Sequence, residues 1–136
     1  NIEACKILSL CFVETDEPFS ALEALTRTFR YDIPRAETCC EIGNIFMSLE
    51  NYRTAAFWYE LALGLPKECK SGAFFSEDCH GFFPCIQLCV CYDRLGEREK
   101  AERYNRLAGE YRPYSVPYLQ NLKYFETLRS QDGTFS

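Results

Sequence analysis

The sequence predicts an all-α chain of stacked antiparallel helical hairpins, about seven helices in all. Three observations predict it. Apolar residues recur at helical spacing, no segment keeps the alternation of a strand, and the chain repeats itself at a fixed offset. The repeat is the strongest of the three. LENYRTAAFWYELALGLP, beginning at Leu49, aligns with LGEREKAERYNRLAGEYRP, beginning at Leu95, at a shift of 46 residues. Leu49 falls on Leu95, Ala55 on Ala101, Leu61 on Leu107 and Ala62 on Ala108. Upstream, Ile42 falls on Leu88, Gly43 on Cys89 and Phe46 on Tyr92. Small residues let two helices approach and large ones fill the space beside them, so stacked hairpins require this recurrence of size.

The elements follow in order. Residues 2–13 and 18–29 form an amino-terminal pair, with Asp16 ahead of Pro18 as a cap. Residues 36–48 carry Cys39, Ile42, Ile45 and Phe46 on one face, and Leu49 continues the spacing. Glu50 and Asn51 make a turn, with Asn51 placed to cap a helix over 52–63 that Gly64 and Pro66 stop. In the second copy Pro84 sits near the first turn of a helix running to Leu95, Gly96 turns, and 98–110 is the partner helix that Pro113 ends. A last helix over about 115–128 brings Leu119, Leu122 and Phe125 to cover the end of the stack.

Composition bounds the function. The chain has 136 residues, 47% apolar and 26% charged, which excludes a disordered tail and supports a core. Its net charge of −5 and lack of a basic run exclude a nucleic-acid backbone or an anionic membrane surface as the expected partner. The longest uncharged stretch, 79–92, is interrupted by Pro84 and is too short to span a bilayer. No basic leader or cleavage site stands at the start, and the missing initiator Met leads to the expectation of a piece of a longer protein. Nine cysteines are an odd number for a disulfide framework, and Cys85, Cys89 and Cys91 sit within an apolar helical pattern. Free thiols in a reducing, cytoplasmic compartment are the simpler reading. The alternative is a zinc site from Cys69, Cys79, His80 and Cys85, but structural zinc draws ligands as close pairs, and these gaps do not match. No metal and no cofactor are expected.

These hairpins resemble the tetratricopeptide repeat, whose 34-residue unit places bulky, small, aromatic and alanine residues at fixed positions. A unit starting at Ala36 supplies Cys39, Ile42, Gly43, Phe46, Ala55, Tyr59, Ala62 and Pro66. One starting at Phe82 supplies Cys85, Leu88, Cys89, Tyr92, Ala101, Asn105, Ala108 and Pro113, with Asn105 replacing an aromatic. Because the copies lie 46 residues apart rather than 34, about a dozen residues near 67–81 are an insert.

The wording YDIPRAETCCEIGNIF, AAFWYELAL, GAFFSEDCHGFFP and LCVCYDRLGEREKA further resembles a region that follows the catalytic domain in bacterial family-2 glycosyltransferases. The resemblance covers roughly 31–125 and implies a parent that transfers sugar from a nucleotide sugar. Residues 1–33 would then link to that absent catalytic domain, and 34–136 would hold the repeats, the insert and a capping helix. The chain has no Asp-x-Asp and no Gly-rich phosphate loop, so no catalytic residue is assigned to it. The expected role is a non-catalytic interaction and scaffold module, with a free-standing peptide-binding adaptor as the alternative.

In stacked repeats the first helix of each hairpin lines the concave side. The residues expected there are Glu37, Cys40, Asn44 and Met47, then Phe83, Ile86, Val90 and Asp93, joined by Glu41, Gln87 and Arg94. This mixed apolar and polar wall suits an extended peptide, a partner helix or the parent's own catalytic domain, or else is a solvated face. Asn44 matches a position that clamps peptide in chaperone-binding members, but Cys40 and Glu41 stand where their basic partners would be. His80 lacks an orienting third group and reads as structural or solvent-facing. Phe57, Trp58 and Tyr59 are expected in the core, whereas Phe74, Phe75, Phe82 and Phe83 either seal the insert or present an apolar patch. The mixed charges over 94–106 read as an exposed helix laced with pairs along its length.

Overall fold

The computed structural model describes residues 18–30, 35–65 and 81–133. Helix α1 is Pro18–Thr26, continued by a 3₁₀ turn Arg27–Arg30; α2 is Ala36–Ser48 and α3 Tyr52–Gly64. Then come α4 Phe82–Arg94, α5 Arg98–Tyr111 and α6 Val116–Gly133. Six helices and no strand occur among the described residues, and the predicted all-α stack of hairpins is the fold observed. The expected helix over 2–13, the cap at Asp16 and most of the insert lie outside the described residues.

Helices α2 and α3 pair as one hairpin, α4 and α5 as the next, and α3 packs directly on α4. The two hairpin turns are copies at the level of single hydrogen bonds. Asn51 N–H donates to Phe46 C=O at 2.9 Å, and Glu97 N–H to Tyr92 C=O at 2.8 Å. Between them Glu50 and Gly96 occupy the same place with φ of 60° and 82°. That left-handed conformation strains a residue with a side chain and suits glycine. Asn51 caps α3 as predicted, its side-chain oxygen accepting from Thr54 N–H at 3.3 Å.

The true period shows at the two ends of the stack. Pro18 lies 34 residues before Tyr52, so α1 is the second helix of a preceding unit, with Ala21 in the buried place that Ala55 and Ala101 hold in theirs. Val116 lies 34 residues after Phe82, so α6 stands where the first helix of a following unit would start. The surplus that lengthens the spacing to 46 falls between α3 and α4.

One cluster of buried residues joins Cys39, Tyr59, Leu88, Tyr92 and Phe125 across α2 to α6, and a smaller one joins Ala21 and Leu25 to Ile42 and Ile45. At Gly43 the backbone of α2 runs close against α3: a Cβ built there would stand 2.7 Å from the Tyr59 ring. Alanines at 55, 56, 62, 101 and 108 are buried along the second helices.

Several expectations are corrected. Phe57 is 60% exposed, because α3 buries the face holding Ala55, Tyr59 and Ala62, and residue 57 points about 200° away from Ala55. Trp58 is partly buried, stacked on Phe29 at 6.4 Å between centroids. Helix α4 starts at Phe82 with Pro84 in its first turn, as expected, whereas α6 runs five residues past Leu128. Phe125 is buried, but Leu119 is 45% exposed and does not help to cover the stack. Glu102 pairs with Arg129 of α6 at 2.6 Å, a contact across helices.

Candidate functional site

The wall formed by the first helices α2 and α4 is built around a buried phenol. Tyr59 of α3 is fully buried, its ring lying over Gly43 and meeting the Phe83 ring edge-on at 6.1 Å. Its hydroxyl donates to Asn44 Oδ1 of α2 and accepts from Gln87 Nε2 of α4 at 3.3 Å. Gln87 Nε2 also lies 3.5 Å from Asn44 Oδ1, so three helices meet in one polar triangle. Burial raises the Tyr59 phenol above its ordinary range, against the hydrogen bond from Gln87, which lowers it; the hydroxyl stays protonated and available to donate.

Of the predicted wall residues, the structure joins Asn44 to Gln87 across α2 and α4. Met47 of α2 receives the Cys91 thiol of α4 at 3.4 Å, and Phe83, Ile86 and Val90 are half-buried along α4. Asn44 and Arg94 are exposed, and Glu41 is half-buried. Two predicted residues do not line an open face: Cys40 is 2% and Glu37 7% exposed, both packed inside with the buried side of α2. Asp93 is already engaged, accepting from Tyr124 of α6 at 2.9 and 3.0 Å.

Position 59 also clarifies Asn105, its counterpart 46 residues on. Each reaches from a second helix to the next first helix. Asn105 is buried and donates to the Tyr118 carbonyl at 3.3 Å, while Asn121 donates to its side-chain oxygen at 3.1 Å. An amide with both donor and acceptor thus takes the place of an aromatic where the neighbour is the capping helix α6.

A second polar joint was not foreseen. Glu60 of α3 accepts from Tyr92 at 2.5 Å and from Tyr104 at 3.0 Å, and those two rings stack at 5.7 Å with Lys100 over the Tyr92 face. Burial, with Glu60 adding to it, raises the Tyr104 phenol to about 12. A lone acidic residue within an aromatic helix, and tyrosines 32 and 44 residues away, carry no spacing signal to find it by.

The described thiols are buried. Burial raises Cys39 and Cys85 to about 11 and Cys89 and Cys91 to about 12, with nearby carboxylates adding at Cys39, Cys85 and Cys89. They are free and protonated near neutrality, which leaves them poor nucleophiles and poor metal ligands. No group of three metal-ligating side chains occurs among the described residues, and Cys69, Cys79 and His80 lie outside them. No described helix is long and apolar enough to cross a membrane.

The fold is a tetratricopeptide-like stack of helical hairpins. Among solved structures, the chain is similar to the crystal structure of MamA, with a TM-score of 0.65 at 19% sequence identity over 83% of this chain. The match covers 59% of that chain, so this sequence spans about three-fifths of the MamA structure's length. No protein-family model matches the chain, and no curated protein does.

Proposed function

We propose that the chain is a protein-interaction module, non-catalytic in itself, whose α2–α4 wall takes an extended peptide segment of a partner. One observation carries the reading: the Asn44 and Gln87 carboxamides are held side by side at an exposed face, flanked by the half-buried Met47, Phe83, Ile86 and Val90. An extended peptide offers what such a wall can use, main-chain N–H and C=O groups together with apolar side chains at alternate positions. The likeness of the fold to MamA agrees with a scaffold role. The lack of Asp-x-Asp and of a phosphate loop, and the protonated thiols, support a module without chemistry of its own.

The finer reading attaches this module to a cytoplasmic family-2 glycosyltransferase, whose catalytic domain would supply the partner segment. Its support is the wording of the sequence over about 31–125. Reading the frame upstream tests it: a strand-rich domain with Asp-x-Asp supports the transferase parent, and its absence favours a free-standing adaptor.

The binding reading is tested by panning a randomised peptide display library on the chain and mapping an enriched peptide by NMR. Shifts at the Met47, Ile86 and Val90 methyls are expected. No enrichment, or shifts confined to α5 and α6, would overturn it.

A further inference from the structure

The polar triangle has a direction. A tyrosine hydroxyl offers one donor and two acceptor sites, whereas each carboxamide has an accepting end and a donating end. Tyr59 donates to Asn44 Oδ1, so the oxygen of Asn44 faces inward and its Nδ2 is turned away from the hydroxyl. Gln87 gives its Nε2 to the same hydroxyl, so its Oε1 is the end left over. Neither Asn44 Nδ2 nor Gln87 Oε1 has a hydrogen-bond partner among the described residues. The phenol cannot swing off: Gly43 lies against one side of its ring and Phe83 meets it edge-on.

We infer that Tyr59 is a positioning residue, fixing Asn44 donor-outward and Gln87 acceptor-outward so that the wall reads a main-chain peptide group rather than a carboxylate. The inference rests on the peptide-binding reading above. A peptide group presents one acceptor and one donor and matches the pair; a carboxylate presents acceptors alone and sets one against Gln87 Oε1. With both carboxamides pinned beforehand, a peptide does not have to order them on binding.

Two arms test it. The first needs no ligand: ¹⁵N relaxation of the side-chain carboxamides. Asn44 and Gln87 are expected to be rigid in the native chain and both mobile in Tyr59→Phe, with the backbone spectrum otherwise retained. Carboxamides as rigid in Tyr59→Phe as in the native chain would overturn the inference. The second uses a library-selected peptide, acetylated at its start, made with either a C-terminal amide or a free carboxylate. Both forms are expected to bind equally, and Tyr59→Phe to weaken them about fivefold, the worth of one neutral hydrogen bond. Asn44→Asp keeps an acceptor for Tyr59 but turns an oxygen outward, so it folds and loses about tenfold or more in affinity. Undiminished binding by Asn44→Asp, or a marked preference for the free carboxylate, would overturn the inference. If no peptide is selected the binding reading fails, and the relaxation arm still decides the role of Tyr59.

Discussion

Replacing Gly43 by alanine adds one methyl group where the backbone of α2 runs against the Tyr59 ring of α3. In an isolated helix the change is favourable by about 1 kcal/mol, since glycine costs more backbone entropy than alanine. Here the added Cβ would stand 2.7 Å from two atoms of the Tyr59 ring, closer than carbon atoms tolerate. The ring is fully buried and wedged against Phe83, so relief requires the helices to part. Overpacking of this kind costs about 1–3 kcal/mol, which leaves Gly43→Ala level with the native chain or destabilised by up to about 2 kcal/mol. Gly64→Ala is the internal control. It ends α3 with nothing within 4 Å of its Cβ, so it is expected to gain about 0.4–1 kcal/mol. Urea unfolding of both variants, read at constant slope, measures the difference. It is expected at about 0.4–3 kcal/mol in favour of Gly64→Ala. A Gly43→Ala variant as stable as Gly64→Ala would refute the close-approach argument.

Three further outcomes follow from the packing and the polar joints. Ala55→Leu and Ala101→Leu each add a side chain to a fully buried position and are expected to cost about 1–3 kcal/mol by thermal melt; unchanged melts would contradict the hairpin packing. Glu50→Gly removes strain at a φ of 60° and should stabilise by about 0.5–1 kcal/mol, whereas Gly96→Ala at φ 82° should destabilise by about 1–2 kcal/mol. Buried thiols keep their protons to about 11 or 12, whereas unfolded ones lose theirs near the ordinary value of 9.0. Above pH 9 the native state therefore binds more protons than the unfolded state, and stability should fall as pH rises from 9 towards 11, with Tyr104 adding to the fall above 10. Flat denaturation midpoints between pH 8 and 10.5 would contradict the burial of the thiols.

The repeat was legible because size recurs where helices touch: Gly43, Ala55, Ala62, Ala101 and Ala108 all lie at helix contacts. Turn positions were legible too, since Asn51 and Gly96 answer local demands of capping and left-handed backbone. What escaped was decided by partners distant in the chain. Tyr59 was recognisable as core, but its hydroxyl acquires a role only when α2 and α4 come together over it. Cys40 and Glu37 fit the concave spacing yet are buried, because helical periodicity says which face a residue is on and not how far its neighbours reach over it. Asp93 is engaged by Tyr124, whose helix was expected only as a lid. Phe57 was drawn into the core by its aromatic neighbours, although its angular position on α3 is the solvent side.

The dozen surplus residues between α3 and α4 join two helices that already pack against each other without them. Length at that junction is thereby uncoupled from the shape of the array. A tether whose ends are held together by other contacts costs only about 0.6 kcal/mol for each doubling of its span. This joint can accept longer or unrelated grafts while the pitch of the helices, and the spacing of the Asn44–Gln87 pair across them, stays the same.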